Sequence, residues 1–196
     1  MPSPLVLTAT AAIAGATPAV APVVEQVVAP VVTPVLAPVV PSCAGGGSAP
    51  ANASSVEVRR AVLCLLNRQR ALHGLAPLRG NPRLRRAGWS HARDMVVHHY
   101  FAHSSRNGAP FDARIRATGY MSNVTRWRVG ENLAWGAGAR ATPRRIVAAW
   151  MHSPPHRANI LDGRFTEIGI AAVRGAPVTR RLVPAATYAT EFGARG

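Results

Sequence analysis

Cysteine, histidine and carboxylate side chains carry most protein chemistry, and this chain has two cysteines, seven histidines and eight acidic residues. Cys43 and Cys64 lack the sequence context of a catalytic nucleophile. Cys43 stands just before the glycine run AGGGSAPA, and Cys64 falls inside the first helical segment. An even cysteine count in an exported chain predicts one disulfide, Cys43–Cys64, with two unrelated thiols as the alternative.

Short catalytic motifs are missing from the sequence. No HExxH-type spacing ties histidines to a carboxylate, and no serine elbow or phosphate-binding loop is present. The GAGA stretch at 136–139 lacks the flanking strand and helix of a nucleotide-binding motif. The motifs therefore leave open whether the protein is an enzyme.

The elements that must position any site are readable from residue 54 onward. Helix starts are predicted at Ser54 with Glu57, Asn81 with Pro82, Thr142 with Pro143, and Ser153 ahead of PPHRANIL. A further short helix is predicted over 110–118. Extended segments are predicted at 127–134, 166–173 and 182–192, with RGAPVTRR as a hairpin loop between the last two. Helices followed by strands predict an α+β fold.

The first 53 residues have a different composition, rich in Ala, Val and Pro, and we expect them to be mostly disordered linker. The predicted domains are therefore 1–53 and 54–196. The first 21 residues resemble a secretory signal with a small-residue exit near Ala19 or Ala21, although they lack its basic start. A short membrane-proximal anchor is the alternative. We expect no transmembrane span in the folded domain, and prolines interrupt the uncharged run 1–24.

Four segments occur in an order that identifies a family: LLNRQRALHGLAPL at 65–78, FAHSSRNG at 101–108, GENLAWG at 130–136 and WMHSPPHRANIL at 150–161, followed by FTEIGIA. Together they resemble the CAP superfamily of cysteine-rich secretory, antigen 5 and pathogenesis-related proteins, and most of all its bacterial secreted SCP-domain branch. The resemblance covers about residues 56–193. It implies a three-layer α-β-α sandwich with a small antiparallel sheet, a central cleft, and a secreted or envelope-associated protein.

The resemblance also implies three cleft residues. His103 matches the first family histidine, Glu131 the glutamate of the GEN motif, and His156 the SPxHR histidine of the bacterial branch. Ser153 and Arg164 stand where other members have a second glutamate and histidine, so the full tetrad is absent. Two imidazoles and a carboxylate suit a three-ligand zinc site with one open position. They equally suit a hydrogen-bonded cleft without metal.

The charge of the chain points to acidic partners. All 23 basic residues are arginine against eight acids, a net charge of +15. We expect an anionic lipid or cell-wall polymer as partner, no specific nucleic-acid binding because no reading element is present, and a monomer. The predicted function is a secreted binding module that uses the His/Glu cleft, with a metal-dependent hydrolase using His103, Glu131 and His156 as the alternative. Several arginines recur at predicted helix-surface positions: Arg59, Arg60, Arg68, Arg70, Arg83, Arg85 and Arg86.

Overall fold

A four-stranded sheet separates two groups of helices in the computed structural model, which describes residues 42–50, 55–179 and 184–196. The helices are α1 (Ser55–Leu72), α2 (Pro82–His98), α3 (Phe111–Ala117), α4 (Pro143–His152) and α5 (Pro154–Leu161), with a 3₁₀ turn at Gly138–Ala141. The strands are β1 (Arg79–Gly80), β2 (Trp127–Ala137), β3 (Glu167–Arg174) and β4 (Ala185–Arg195). The predicted α+β class and α-β-α sandwich are confirmed.

The sheet has the order β1-β3-β4-β2, so β2 is an edge strand. β4 pairs antiparallel with both β2 and β3, as the predicted hairpin requires. The short β1 pairs parallel with β3, which makes the sheet mixed where a purely antiparallel one was expected. β1 ends after two residues because Asn81 and Pro82 begin α2 directly behind it.

Strand alternation sends side chains to two separate cores. Ile168, Ile170, Tyr188 and Phe192 pack with α1, α4 and α5, whereas Ala189 of β4 packs with α2. Successive strand residues point to opposite faces, so the even-numbered side chains of β3 and β4 serve one layer and the odd-numbered ones the other.

The close approach of α2 to the sheet depends on Gly169. A Cβ added to Gly169 would lie 2.6 Å from Cβ of Leu84 and still closer to the backbone of α2. No side chain fits in that gap. We therefore attribute the position of α2, and of the loop that follows it, to this glycine.

Residues 42–50 pack on the layer formed by α1, α4 and α5, which we call the first layer. The predicted Cys43–Cys64 disulfide is present, with a Cα–Cα distance of 5.6 Å, and Cys43 is buried in the larger core. The backbone N–H of Arg144 donates to the carbonyl of Gly46 at 2.8 Å. These contacts fix the chain just upstream of α1. The predicted boundary at 53/54 lies outside the described residues and stays a prediction.

The helix-start predictions have different outcomes. Asn81 caps α2, because its side chain accepts from the N–H groups of Arg83 and Leu84. Thr142 and Ser153 stand at the N-cap positions of α4 and α5, but neither side chain caps its helix. The Thr142 hydroxyl donates to the carbonyl of Ala139 instead. Ser54 lies outside the described residues.

Arg70 corrects one prediction about the surface. The sequence pattern placed it with the exposed arginines, but its side chain is fully buried. Its guanidinium donates to the carbonyls of Ala76, Ile160, Asp162 and Phe165 at 2.8–3.0 Å. Arg70 therefore joins the end of α1 to the chain that follows α5, and it belongs to the interior of the first layer.

Candidate functional site

The centre of the candidate site is Glu131, in the middle of edge strand β2. Its side chain is only 1% exposed and points to the α2 and α3 side of the sheet. Its direct cross-strand partner on β4 is Glu191, whose side chain is fully buried. Two carboxyl groups opposite each other repel when both are ionised. The surrounding residues must therefore resolve that repulsion.

His103 is the first group that Glu131 holds. Nδ1 of His103 lies 2.6 Å from Oε1 of Glu131, so the ring donates from Nδ1 and directs Nε2 away from the carboxylate. The imidazole side chain is 57% exposed. The hydrogen bond to Glu131 raises the pKa of His103 above its usual value, even though burial and Arg114 oppose the shift. The His103–Glu131 pair therefore presents at the surface an imidazole ring whose pKa is raised.

Arg114 of α3 is the second group on Glu131. It donates from Nη2 to Oε2 of Glu131, and its Nε lies 3.5 Å from Oε1 of Glu191. The second contact lacks hydrogen-bond geometry: Nε and Nη1 of Arg114 and both oxygens of Glu191 have no hydrogen-bond partner among the described residues. Arg114 thus stands between the two carboxyl groups and binds only one of them well.

Because of these contacts, the pKa values of the two carboxyl groups shift in opposite directions. Burial would raise the pKa of Glu131, but the hydrogen bond from His103 and the charge of Arg114 outweigh it and lower that pKa. Burial and then the charge of Glu131 raise the pKa of Glu191 well above its usual value. Glu131 is therefore the ionised member, and Glu191 favours its protonated form.

His156 approaches from the other face of the sheet, on α5. Its Nδ1 lies 2.7 Å from the hydroxyl of Ser153, the N-cap residue, which explains why that hydroxyl does not cap the helix. Burial and then the charge of His103 lower the pKa of His156. The two imidazoles therefore interact electrostatically. No hydrogen bond joins His156 to Glu131 in the described structure.

Two asparagines hold α5 against edge strand β2. Asn159 donates from Nδ2 to the carbonyl of Glu131 and to Oδ1 of Asn132, at 3.1 and 2.9 Å. Asn132 in turn donates to the carbonyl of His156 at 3.0 Å. A Cβ added to Gly130 would lie 3.0 Å from Cζ of Phe165 and 3.1 Å from Oδ1 of Asn159, so a side chain there would require these neighbours to shift. These contacts give a physical reason for the GEN motif.

The loop that carries His103 is anchored by His91. This buried histidine lies on α2, and its Nε2 donates to the carbonyl of Ala102 at 2.8 Å. Burial and then the charge of Arg114 lower the pKa of His91, which keeps the ring neutral. His91 therefore positions the backbone directly before His103.

Of the three residues expected in the cleft, His103 and Glu131 are in direct contact, and His156 lies across β2 with a different partner. The sequence prediction missed Arg114, Glu191, Asn132 and Asn159. A signal existed for Glu191, because a charged residue inside a strand of Ala, Thr, Tyr and Phe needs a partner. The asparagines lie inside the recognised motifs. Arg114 had no distinguishing signal in a helix with several charges.

The contacts of Glu131 bear directly on the predicted zinc site. The described ranges contain no group of three or more His, Cys, Asp or Glu side chains arranged to hold a metal ion. The guanidinium of Arg114 already places a positive charge on Glu131, and a second cation there would be repelled. The residues present do not fit a zinc ion well. Zinc binding by His103, Glu131 and His156 stays a prediction that this geometry disfavours.

The fold and this His/Glu arrangement identify the class of protein. The chain belongs to the CAP family, the cysteine-rich secretory protein family, whose sequence model matches residues 63–188. A curated relative is the uncharacterized protein YkwD of Bacillus subtilis, 36% identical over 132 residues. That match covers 67% of this chain and 48% of YkwD, so the chain spans about half the length of the relative.

Two solved structures support the fold. An extracellular SCP-domain protein from Bacillus anthracis has a TM-score of 0.53 at 22% identity, covering 70% of this chain and 42% of that one. An outer surface protein from Borrelia burgdorferi has a TM-score of 0.58 at 20% identity, covering 71% of this chain and 94% of that one. Both similar proteins are therefore extracellular or outer-surface proteins. Among the helices described for this chain, none is long and apolar enough to cross a membrane.

Proposed function

We propose that this CAP-domain protein is an exported binding module that holds an acidic envelope ligand at the cleft of His103, Glu131 and His156. The ligand chemistry is a phosphate or carboxylate of an envelope lipid or wall polymer. Export is supported by the extracellular and outer-surface location of the similar proteins and by the disulfide. The protein acts as a monomer in this proposal.

The observation that carries the proposal is the state of His103. Glu131 occupies Nδ1 of the ring, and the side chain remains more than half exposed. The raised pKa of His103 increases the share of the imidazolium form, in which Nε2 can donate a charge-assisted hydrogen bond to an anion. The buried carboxylate of Glu131 thereby prepares an exposed donor.

The alternative function is hydrolysis. Glu131 and His103 form a carboxylate–imidazole pair like those that orient a general base. A hydrolase also needs a nucleophile or an activated water, and Arg114 weakens the case for a metal that would supply one. We therefore favour binding and keep metal-dependent hydrolysis as the second candidate.

Binding to defined polyanions tests the proposal. The probes are polyglycerol phosphate, phosphatidylglycerol vesicles and phosphatidylcholine vesicles, with single-stranded DNA as a polyanion of different chemistry. We expect His103→Gln to weaken binding to at least one anionic envelope probe by about tenfold, the scale of one charge-assisted hydrogen bond. Binding should also weaken as pH rises through the raised pKa of His103, because the donor proton is lost.

His152→Gln is the matched control, because His152 is exposed on α4 and its substitution makes the same chemical change. It should bind as the unaltered protein does. Equal weakening in both variants would show general charge attraction and contradict a cleft site. Equal binding by His103→Gln and the unaltered protein at all pH values would remove His103 from the proposal. Tighter binding to DNA than to every envelope probe would contradict the ligand class.

A further inference from the structure

A groove at one end of the sheet shares no lining residue with the His103 cleft. It lies where β2 begins and β4 ends, and it has a volume of about 590 Å³. Ligand sites usually measure roughly 300–1,000 Å³, so the groove has the size of one. Four arginines line it, Arg126, Arg128, Arg164 and Arg195, and we call it the arginine groove. No Asp or Glu is among the described residues that line it, so it attracts anions.

The pairing of β2 with β4 explains why the groove is open. Arg128 lies opposite Ala194, and Arg126 exchanges two backbone hydrogen bonds with Gly196, at 3.1 and 3.3 Å. A Cβ added to Gly196 would meet nothing within 4 Å. Arg126 and Arg128 are two residues apart on one extended segment, so their side chains leave the same face, roughly 7 Å apart at the backbone. Two guanidinium groups therefore stand beside a space that their small cross-strand partners leave unfilled.

Two of the four arginines have no partner of opposite charge. In the described ranges the side chains of Arg126 and Arg128 form neither an ion pair nor a hydrogen bond. Arg164 and Arg195 are instead held by acidic residues that do not line the groove, at 2.8 and 3.3 Å. The groove thus combines two positioned guanidinium groups with two whose donors are free. A ligand with more than one acidic group matches this arrangement.

Trp127 adds a flat apolar surface beside these charges. It is 43% exposed, and the guanidinium of Arg116 lies 5.3 Å from the centre of its ring. This cation–π contact restrains the indole while leaving much of it open to solvent. An exposed indole is a large and rigid apolar surface, and the C–H face of a sugar ring is its natural counterpart. The groove therefore suits a ligand that carries both sugar rings and acidic groups.

The positive surface continues across the end of the sheet. A depression of about 320 Å³ shares Arg195 with the arginine groove, and Arg79 at the start of β1 also lines it. In the strand order β1-β3-β4-β2, the distance from Arg79 to Arg128 covers three strand spacings, about 14 Å. One sugar ring does not cover that distance, whereas a short stretch of a polymer does.

From these observations we propose that the arginine groove binds an acidic polysaccharide, with its carboxylate or phosphate groups on Arg126 and Arg128 and a sugar ring on Trp127. A single-stranded nucleic acid fits less well, because it binds on a series of aromatic side chains that stack successive bases. Trp127 is the one aromatic residue among the described residues that line the groove. The proposal goes beyond the proposed function, since this site is separate from the cleft and does not depend on it.

Calorimetric titration of the full chain with galacturonate oligomers tests the groove. The series is the dimer, tetramer and hexamer, compared with the methyl-esterified hexamer, phosphorylated dextran, hexaglutamate and hexathymidylate. We expect affinity to rise with length, because a longer chain reaches more arginines. The hexamer should bind at least about tenfold more tightly than its uncharged ester. Hexaglutamate should bind about two- to tenfold more weakly than the hexamer, because it has no sugar ring. Preference between the hexamer and phosphorylated dextran identifies the acidic group.

Matched arginine variants separate the groove from general charge attraction. The double variant Arg126→Gln/Arg128→Gln should weaken binding of the hexamer at least about tenfold. Arg68→Gln/Arg86→Gln removes the same charge from exposed positions outside the groove and should bind normally. His103→Gln should also bind the hexamer normally, so failure of this proposal is distinguishable from failure of the cleft proposal.

A matched tryptophan pair tests the stacking surface. Trp127→Ala should weaken binding of the hexamer about two- to tenfold, and Trp127→Phe should retain most of it. Trp89→Ala is the control, because Trp89 is 49% exposed on α2 and has Arg93 over its ring at 5.8 Å, as Trp127 has Arg116. It should bind as the unaltered protein does.

Three results would overturn the proposal. Equal affinity for the hexamer and its methyl ester, or equal losses in both double arginine variants, would show that the groove arginines are not used. Equal affinity for the hexamer and hexaglutamate, or unaltered binding in Trp127→Ala, would show that no sugar ring is recognised. Tighter binding of hexathymidylate than of every polysaccharide probe, lost in Arg126→Gln/Arg128→Gln, would assign the groove to nucleic acid.

Discussion

Arg70 and Arg114 are both removed from solvent, but they are held in opposite ways. Arg70 donates four hydrogen bonds to backbone carbonyls and has no carboxylate partner within ion-pair distance in the described residues. Arg114 has two carboxylates beside it, yet its Nε and Nη1 lack hydrogen-bond partners within the described part of the chain. The first arginine is satisfied by hydrogen bonds and the second by charge. We infer that Arg70 serves the fold and that Arg114 serves the site.

The largest expected effect comes from Arg70→Met. Four carbonyls lose their donor at once, two of them in fully buried hydrogen bonds, and each unsatisfied buried group costs about 1–3 kcal/mol. Allowing for relaxation, we expect the free energy of unfolding to fall by about 4 kcal/mol. Urea unfolding followed by tryptophan fluorescence measures it. Arg68→Met, at an exposed position of the same helix, is the control and should change stability little. A loss below about 1.5 kcal/mol for Arg70→Met would contradict the structural role.

Arg114→Met should have a smaller and pH-dependent effect. Removing one partner of a buried ion pair costs about 3–5 kcal/mol, and Glu131 keeps His103 as a second partner, so we expect about 3 kcal/mol at pH 7. The lowered pKa of Glu131 gives stability that is present above its ordinary pKa and lost on acidification. The deficit should therefore begin to shrink as pH falls below about 4.3, the ordinary glutamate pKa, and should shrink further as pH falls through the lowered pKa of folded Glu131.

The double variant Arg114→Met/Glu131→Gln provides the check on that interpretation. With the carboxylate neutralised, the cost of losing Arg114 should fall by more than half at pH 7. If the cost stays the same, Arg114 stabilises the protein by packing and not by its charge. Arg114 would then serve the fold, as Arg70 does through its hydrogen bonds to carbonyls, and the contrast between the two arginines would be lost.

Glu191→Gln sharpens the contrast from the other side. Because the pKa of Glu191 is raised by burial and by Glu131, the folded protein must take up a proton there, which costs stability as pH rises above the ordinary glutamate pKa. Glutamine removes that cost. We expect Glu191→Gln to raise stability at pH 7 by about 1 kcal/mol, the scale of a like-charge cross-strand pair. Near pH 4 the two proteins should unfold alike, and a variant that is destabilised at both pH values would refute this prediction.

The sequence predicted much of the fold because its signals are local. Asn81 with Pro82 determines the start of α2, and the alternation in the last two strands determines their hairpin. The structure places His103 next to Glu131, two residues that the family motifs suggested for one cleft. These predictions depend on neighbours in the chain or on recognised segments.

The buried arginines were not predicted because their partners are distant in sequence. Arg70 contacts carbonyls up to 95 residues away, and Arg114 contacts strands β2 and β4. A hint for Arg70 existed, since Val62, Leu66 and Arg70 repeat at a spacing of four and share one face of α1. An arginine on an apolar stripe is either a break in the stripe or a buried donor, and only the tertiary contacts decide which.

The smallest expected effect concerns His103, where the charge of Arg114 and the hydrogen bond that His103 donates to Glu131 have opposite effects on the pKa of the ring. The hydrogen bond dominates and raises the pKa of His103, so its contribution to stability is fully present below about pH 6.5 and is lost as pH rises through the folded value. His103→Gln should lower stability at pH 5.5 by less than about 1 kcal/mol, because the ring is exposed and screened, and should change it little at pH 8. Titration of the imidazole by NMR is the more sensitive measurement. The pKa of His103 should rise further in Arg114→Met, where the repelling cation is gone, and fall in Glu131→Gln, where the acceptor charge is gone. An unchanged pKa of His103 in Arg114→Met would show that Arg114 acts on Glu131 alone. The charge of Arg114 would then matter no more to the site than the charge of Arg70 matters to the fold.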